Sequence, residues 1–139
     1  MELTLAIIKP DAVANGYTGR ILDRIIQEGF TIAALKMVHL TEAQAQGFYA
    51  VHQGRPFFGS LTKFMSTGPI IVMVLSAEGA IARWRTVMGA TDPAEAAEGT
   101  LRRLYAENKE RNACHGSDAP ETAAFEIGYF FNAFEIFGR

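Results

Sequence analysis

The sequence has a single cysteine, and its 139 residues contain no long apolar run. With Cys114 alone, an internal disulfide framework is excluded, which fits a reducing compartment and predicts a cytoplasmic protein. No apolar run approaches the roughly 20 residues that span a membrane, so no membrane partner is expected. The N-terminal stretch MELTLAIIKPD has no basic region before its short apolar run. It is therefore interpreted as a strand and not as a signal peptide.

A strong charge of one sign is also lacking. Thirteen Lys and Arg stand against fifteen Asp and Glu, which gives a formal net charge of −2. No basic run suggests a specific nucleic-acid partner, although a local cluster of cations could still bind a small polyanion. The sequence has no Gly-Lys pair, and therefore no Walker A loop, and it has no GxGxxG motif. If a nucleotide binds, side chains must hold its phosphates.

The composition that is present, 49% apolar and 20% charged, is typical of one globular domain over residues 1–139. Alternation, apolar runs and helix caps divide the chain into strands and helices. The predicted strands are 3–9, 31–40, 70–75 and 113–116, and the predicted helices are 18–29, 41–51, 59–66, 77–88 and 120–131, with a short helix starting at Asp92-Pro93 in the otherwise helix-poor segment 89–111. This order favours an α/β (α+β) fold, a ferredoxin-like βαββαβ sandwich whose four-stranded antiparallel sheet is covered by helices, expected on one face.

The stretch NACHGSD at 112–118 places His115 between a cysteine and a polar turn, directly before a predicted helix. His115 is a candidate nucleophile, a candidate metal ligand or a packed core residue. The metal interpretation is weak, because Cys114 and His115 are adjacent and no suitably spaced second ligand joins them. Gly116 would let a ligand approach the backbone closely.

Glu126 stands out in the last predicted helix. Helical spacing puts it on the apolar face between Ala123 and Phe130, where a buried carboxylate needs a partner. His115 is the candidate partner, since a carboxylate on one ring nitrogen leaves the other nitrogen free to act as a nucleophile. Alternatively, Glu126 lies at the edge of this face and reaches water. The pattern alone leaves both interpretations open.

Two further features are ambiguous. Lys9 ends a predicted buried strand, a common position for residues that contact ligands, although most strand-end lysines are solvated surface groups. Phe57-Phe58 follows a turn, where the rings could fill the core or one ring could stack on a base. Trp84 lies in an apolar helical stripe and is interpreted as a core residue.

These stretches resemble the nucleoside diphosphate kinase family over nearly the whole chain. The matching segments are IIKPDAV at 7–13, GFYAVH at 47–52, RPFFGSL at 55–61, TGPIIVMVL at 67–75, VMGATDP at 87–93, GTLR at 99–102 and NACHGSD at 112–118. The resemblance implies transfer of the γ-phosphoryl group of a nucleoside triphosphate, mainly ATP, to a nucleoside diphosphate. The implied route is ping-pong through phosphohistidine at His115, with broad base specificity, and it would maintain nucleoside triphosphate pools.

The resemblance also implies roles for individual residues. The implied catalytic residues are His115, Lys9, Glu126, Ser117 and Tyr49, and the implied nucleotide-binding residues are Lys9, Phe57, Leu61, Arg85, Thr91, Arg102, Lys109, Asn112 and Gly116. Lys9, Arg85 and Arg102 would hold phosphates, helped by the Thr91 hydroxyl. Asn112 and Lys9 would reach the ribose, and Phe57 would stack on the base. Tyr49 would support Lys9, while Ser117 and Glu126 would orient His115. Mg²⁺ would enter on the nucleotide phosphates, with Asp118 nearby and no cage of protein ligands.

The sequence departs from the family pattern at three places. Lys109 stands where an apolar residue usually covers the base, Leu104-Tyr105 replaces an acidic-aromatic pair, and Asp92 replaces an asparagine. The family also implies a homo-oligomer, with a hexamer favoured over a tetramer. Two other classes compete with the kinase. A nucleotide-binding regulatory module would bind without turnover, and a metal-dependent hydrolase would need acidic and histidine ligands.

Overall fold

The computed structural model describes residues 1–138, which form an antiparallel sheet flanked by helices. Within these residues the four strands are β1 (Glu2–Ile8), β2 (Thr31–Val38), β3 (Ile70–Ala77) and β4 (Cys114–Gly116). They are ordered β2-β3-β1-β4, and every neighbouring pair is antiparallel. The predicted βαββαβ sandwich, a ferredoxin-like α+β fold, is therefore confirmed. The predicted strand limits lie within two residues of the observed ones.

The helices follow the predicted spacing, with two additions. They are α1 (Pro10–Ala14), α2 (Thr18–Gln27), α3 (Glu42–Phe48), α4 (Phe58–Met65), α5 (Ala80–Met88), α6 (Leu101–Tyr105) and α7 (Pro120–Phe130), with 3₁₀ turns at Ala50–His52 and Ala133–Glu135. The capping box predicted at Thr41 forms, because the Thr41 hydroxyl accepts from the Gln44 N–H and the Gln44 side chain accepts in return. No helix within residues 1–138 has the length and apolar character needed to cross a bilayer.

Helices cover both faces of the sheet, so the expectation that they share one face was wrong. In β1, Leu5 and Ile7 point into a core built with α3, α4 and α7, whereas Ala6 and Ile8 point into a core built with α2 and α5. The sequence carried this signal, because every residue of β3 is buried. A continuous apolar run is what a strand covered on both sides requires.

The segment 89–111 differs from its prediction. Asp92-Pro93 does not begin a helix, since the Asp92 carboxylate accepts from the Ala94 N–H within a turn. The helix in this segment is α6, which is capped by the Thr100 hydroxyl through the Arg103 N–H. Helix α1 was also missed, because the predicted strand 3–9 makes Pro10 the residue that ends a strand. Proline is equally suited to the first position of a helix.

Candidate active site

Strand β4 carries His115. It pairs with β1 at one edge of the sheet and packs against α5. His115 pairs with Ile7 of β1, and the Trp84 indole N–H donates to the His115 carbonyl oxygen at 3.1 Å. At Gly116, an added Cβ would lie 2.5 Å from Cδ1 of Trp84 and 2.7 Å from Cε of Met88. The close approach that Gly116 permits is therefore that of the Trp84 ring. Trp84 itself is a core residue, as predicted.

The His115 ring is held by a carboxylate from another element. Nε2 of His115 lies 2.9 Å from Oε1 of Glu126 on α7, so Glu126 takes the inward orientation. The Ser117 hydroxyl donates to the same oxygen at 2.8 Å, and it accepts from the Leu5 N–H at 3.2 Å. A chain of hydrogen bonds thus runs from the β1 backbone to the imidazole. This chain fixes both the ring and its carboxylate partner.

The arrangement selects one ring nitrogen for chemistry. An ionised carboxylate only accepts hydrogen bonds, so with Glu126 ionised the proton stays on Nε2. Nδ1 then keeps its lone pair, and within residues 1–138 it makes no hydrogen bond. The rings of Phe48 and Tyr49 meet the imidazole edge-on, with centroids 5.4 and 6.1 Å away. The ring is therefore oriented on several sides while one nitrogen stays available.

Lys9 is buried, so the solvated-surface interpretation of this lysine was wrong. Its Nζ donates to Oδ1 of Asn112 at 2.8 Å, and the Asn112 amide donates to the Thr91 carbonyl at 3.4 Å. Burial, together with the positive charge of Arg102, lowers the pKa of Lys9 to about 8. A cation held against a neutral amide and beside another cation is suited to an anionic ligand.

Two arginines extend this positive region. Arg102 on α6 donates to the Gly89 and Cys114 carbonyl oxygens at 3.0 and 2.9 Å, and its burial lowers its pKa. Arg85 on α5 is exposed, and it lines an open cavity of about 370 Å³ together with Arg102 and Thr91. Helical periodicity alone marked Arg85 as an ordinary surface residue. Only the tertiary placement of α6 beside α5 brings the two guanidinium groups together.

Tyr49 and Phe57 lie on the helical hairpin that flanks the site. The Tyr49 hydroxyl is buried and has no hydrogen-bond partner within residues 1–138, so a hydrogen bond to Lys9 is absent there. Burial and the Glu126 charge raise the pKa of this hydroxyl. Phe57 is 45% exposed and packs edge-on against His52, whereas Leu61 is half-buried against the core. Phe57 therefore offers a ring to the solvent beside the site.

Other residues of the predicted set lie further out. Lys109 lines a separate open cavity of about 520 Å³ with Asp92 and Arg103, and it does not share the cavity of Arg85. Asp118 is exposed and accepts from the Thr122 hydroxyl at 2.7 Å. Within residues 1–138 no three His, Cys, Asp or Glu side chains form a group that could hold a metal ion.

One buried carboxyl of this region escaped the sequence analysis. Asp11 is 3% exposed, and its Oδ2 accepts from the Ala113 N–H at 3.1 Å. The available signal was its position two residues after Lys9, in the stretch IIKPDAV. Its contact with the backbone before His115 could not be read from a linear pattern.

Comparisons with known proteins assign the chain to a family. The family model described as nucleoside diphosphate kinase matches residues 2–136. This chain belongs to the nucleoside diphosphate kinase family. A nucleoside diphosphate kinase of Desulfosudis oleivorans is 63% identical over 139 residues, and the match covers all of both chains. One of Trichlorobacter lovleyi is 60% identical over 138 residues, covering 99% of this chain and 100% of the relative.

Solved structures of the family share the fold. The nucleoside diphosphate kinase of Aquifex aeolicus superposes with a TM-score of 0.96 at 49% identity, covering 97% of this chain and 98% of the other. The enzyme of Halobacterium salinarum, solved in complex with CDP, gives a TM-score of 0.94 at 35% identity, covering 99% and 92%. Nucleoside diphosphate kinases are phosphotransferases, so the predicted enzyme class is confirmed.

Proposed function

We propose that this chain moves the γ-phosphoryl group of a nucleoside triphosphate, mainly ATP, to a nucleoside diphosphate through phosphohistidine at His115. The observation that carries the proposal is the pairing of Nε2 with Glu126, which leaves Nδ1 free. Nδ1 attacks the γ-phosphorus, the bond to the β–γ bridging oxygen breaks, and the diphosphate leaves. A β-phosphate oxygen of the second nucleotide then attacks the phosphohistidine and regenerates the imidazole.

Charge around the transferred group supplies the catalysis in this proposal. The phosphates of the nucleotide would lie against Lys9, Arg85 and Arg102, with the Thr91 hydroxyl as a further donor. Support comes from Lys9, which is buried, and from Arg102, which is half-buried, since a cation shielded from water stabilises developing negative charge more strongly than a solvated one. Asn112 would orient Lys9 and reach the ribose. Phosphoryl transfer needs positioning and charge stabilisation more than additional covalent chemistry.

The base would be bound mainly by stacking on the exposed ring of Phe57, with Leu61, Lys109 and Gly116 completing the nucleotide site. Stacking reads no base edge, so purines and pyrimidines should both be accepted, and the enzyme would maintain several triphosphate pools. A complex of the Halobacterium salinarum relative with CDP supports a pyrimidine nucleotide as a ligand of this family's site. Mg²⁺ would arrive as part of the nucleotide substrate, bound to its phosphates near Asp118.

A homo-oligomer goes with this function, as a hexamer rather than a tetramer. Strand β2 is an edge of the sheet and exposes Leu35 and Met37, while Phe134 and Phe137 are exposed near the end of the chain. An apolar sheet edge of this kind is suited to pairing with another copy. Light scattering after size exclusion would give the mass, and Met37→Asp should lower it. Residues 1–139 are taken as one catalytic domain of a cytoplasmic enzyme.

Steady-state kinetics test the proposed reaction. Initial rates with varied ATP and dGDP should give parallel double-reciprocal lines, because one site serves donor and acceptor in turn. His115→Ala should abolish turnover while still binding ATP. His39→Ala is the matched control, since His39 is exposed and, among residues 1–138, bonds only to the Ser66 carbonyl. Intersecting lines, or turnover retained by His115→Ala, would overturn the phosphohistidine route, and binding without turnover in the wild type would favour the regulatory module.

A further inference from the structure

Asp11 bonds to the backbone just before His115 from a distant part of the sequence. Its Oδ2 accepts from the Ala113 N–H across 102 residues, and the contact is buried. The neighbouring Lys9 N–H donates to the Ala113 carbonyl oxygen at 2.9 Å. The segment Lys9–Asp11 therefore grips both polar groups of Ala113, one with its backbone and one with a carboxylate.

Ala113 has a strained backbone conformation that these two hydrogen bonds stabilise. Its φ is +74°, and within residues 1–138 no other non-glycine residue has a positive φ. The Cys114 N–H bonds to the Asn112 carbonyl at 2.9 Å, so Ala113 is the central residue of a three-residue turn of the strained kind. An L-residue keeps such a conformation only when its surroundings over-determine it. The Asp11 carboxylate is one of those constraints.

The turn at Ala113 sets the direction of the reactive groups on either side. Asn112, just before it, accepts from Nζ of Lys9 at 2.8 Å, and His115 follows two residues later on β4. Relaxation of the turn would move the amide that holds Lys9 and the start of β4 together. Asp11 is therefore placed to act on both groups through one hydrogen bond.

The charge of Asp11 bears on Lys9 as well. The titratable groups that face Lys9 are Arg102 on α6, Cys114 on β4, Glu110 in the loop before β4 and Asp11 on α1. Burial raises the pKa of the Cys114 thiol to about 11, so near neutral pH this thiol carries no charge. Arg102 disfavours the ammonium, whereas Cys114, Asp11 and Glu110 favour it, and of the two carboxylates Asp11 has the larger effect.

We propose that Asp11 is a positioning residue. Its carboxylate holds the turn at Ala113, which orients His115, and its negative charge stabilises the ammonium form of Lys9. This inference rests on the proposed function for its kinetic readout. Asp11 does not touch the transferred group in this proposal. It acts through the backbone of Ala113 and through the charge of Lys9.

Two substitutions separate the two effects. Asp11→Asn keeps a carbonyl oxygen for the Ala113 N–H but removes the charge, whereas Asp11→Ala removes both. Well below pH 8, where Lys9 is charged, Asp11→Asn should keep a kcat close to that of the wild type, while its alkaline loss of kcat/KM should begin at a lower pH than in the wild type. Asp11→Ala should show the same shift and, because misplaced groups react slowly, lose roughly 10-fold or more in kcat at every pH.

Matched controls isolate the position of Asp11. Glu110→Gln removes a carboxylate near Lys9 without touching Ala113, so it should give a smaller alkaline shift and no loss of kcat. Asp23→Asn removes an exposed carboxylate that bonds to Gln27 on α2, and it should leave kinetics and pH profile unchanged. Circular dichroism and thermal melts show which variants are folded at the assay temperature.

A readout without turnover separates this inference from the proposed function. NMR titration of the Lys9 side chain without nucleotide should report a pKa near 8 in the wild type and a lower one in Asp11→Asn. Hydrogen exchange of the Ala113 amide should be faster in Asp11→Ala than in the wild type. An unshifted Lys9 titration in Asp11→Asn overturns the charge role, and an unchanged kcat in folded Asp11→Ala overturns the positioning role. If Asp11→Ala does not fold, the titration and pH profile of Asp11→Asn decide the charge role, and Asp11→Ser, whose shorter side chain loses the bond to the Ala113 N–H, replaces Asp11→Ala in the kcat and hydrogen-exchange comparison. An inactive wild type with a shifted Lys9 titration would instead reject the proposed function.

Discussion

Nε2 of His115 lies 2.9 Å from Oε1 of Glu126, although the two residues belong to β4 and α7. The same carboxylate oxygen accepts the Ser117 hydroxyl at 2.8 Å, and that hydroxyl is anchored to the β1 backbone through the Leu5 N–H. The orientation of the imidazole thus depends on three separate elements of the fold. This contact occupies Nε2 and leaves Nδ1, the other ring nitrogen, without a hydrogen bond within residues 1–138.

Removing the carboxylate should slow phosphoryl transfer without stopping it. In Glu126→Ala the imidazole loses the partner that fixes its tautomer, and we expect kcat to fall roughly 10- to 100-fold, the loss found when metal-binding histidines lose an orienting carboxylate. Adding Ser117→Ala should cost less in this background than in the wild type, since the two residues act through one hydrogen-bond chain. Glu121→Ala, an exposed carboxylate on the same helix, should keep the wild-type kcat. Equal losses in Glu121→Ala and Glu126→Ala would refute the orienting role.

The glycine after the histidine should tolerate no side chain. In Gly116→Ala the new Cβ would meet the Trp84 ring and the Met88 methyl, and we expect a loss of about 1–3 kcal/mol in the free energy of unfolding. Gly128→Ala on α7 has no heavy atom within 4 Å of its new Cβ and should stabilise the protein by up to about 1 kcal/mol. Urea unfolding of both variants measures the difference, and a stable Gly116→Ala would show that the Trp84 contact is loose.

The activity should fall on the alkaline side of pH 8. Burial lowers the pKa of Lys9 to about 8, so this ammonium is lost as pH rises through that value. The pKa of Cys114 is raised to about 11, and this thiol does not titrate in the same range. The kcat/KM for ATP should decline above about pH 8, and Lys9→Arg, which stays charged, should lack this limb even if its activity is lower. An unchanged kcat/KM up to pH 10 would contradict the assignment.

The same lysine should make the folded state more stable at moderately alkaline pH. The folded pKa lies below the ordinary value of 10.5, so between about 8 and 10.5 the unfolded chain binds more protons than the folded chain. The Lys9 contribution to stability therefore rises with pH in this window, by about 2 kcal/mol from roughly pH 7.5 to 9.5, and the raised pKa of Cys114 offsets part of this gain. Guanidinium unfolding at the two pH values measures the gain. Lys9→Met should lack it, and an equal gain in this variant would assign the effect to other groups.

Phe57 should contribute binding energy without contributing much stability. Its ring is 45% exposed, so Phe57→Ala should leave the melting temperature nearly unchanged. Loss of one stacking partner should weaken binding of ADP and CDP alike, by roughly 10-fold for a stack of about 1–3 kcal/mol. Phe57→Tyr keeps the ring and should bind both nucleotides as the wild type does. Calorimetric titrations with the two nucleotides make the comparison, and unchanged affinity in Phe57→Ala would place the base elsewhere.

The sequence predicted the elements whose burial follows a simple period. The alternation in β1, the apolar run of β3 and the capping box at Thr41 each reflect local physics, and these elements formed where they were expected. Helical spacing put Glu126 on the apolar face of its helix but left open whether its carboxylate points inward or reaches water. The missed helices α1 and α6 are both five residues long. Helices of that length have too few residues to show a hydrophobic period, so their capping residues are the only sequence signal that predicts them.

Tertiary placement accounts for what the sequence could not predict. Arg85 belongs to the candidate site because α6 brings Arg102 to the cavity that Arg85 lines. No residue pattern within α5 predicts this placement. The positive φ of Ala113 has no glycine or asparagine to signal it. It follows from a turn held by Asp11, which lies 102 residues away along the chain. Contacts of this kind between distant segments depend on the tertiary fold and cannot be predicted from a local sequence pattern.

The most direct test of the account is the covalent state of His115. The protein is incubated with γ-labelled ATP and Mg²⁺ without an acceptor, beside His115→Ala and the control His39→Ala. We predict label that is labile in acid and stable in base, that is absent only from His115→Ala and that is discharged by added GDP. A folded wild-type protein that binds ATP but takes up no label, or that keeps its label in His115→Ala, would contradict phosphoryl transfer through His115.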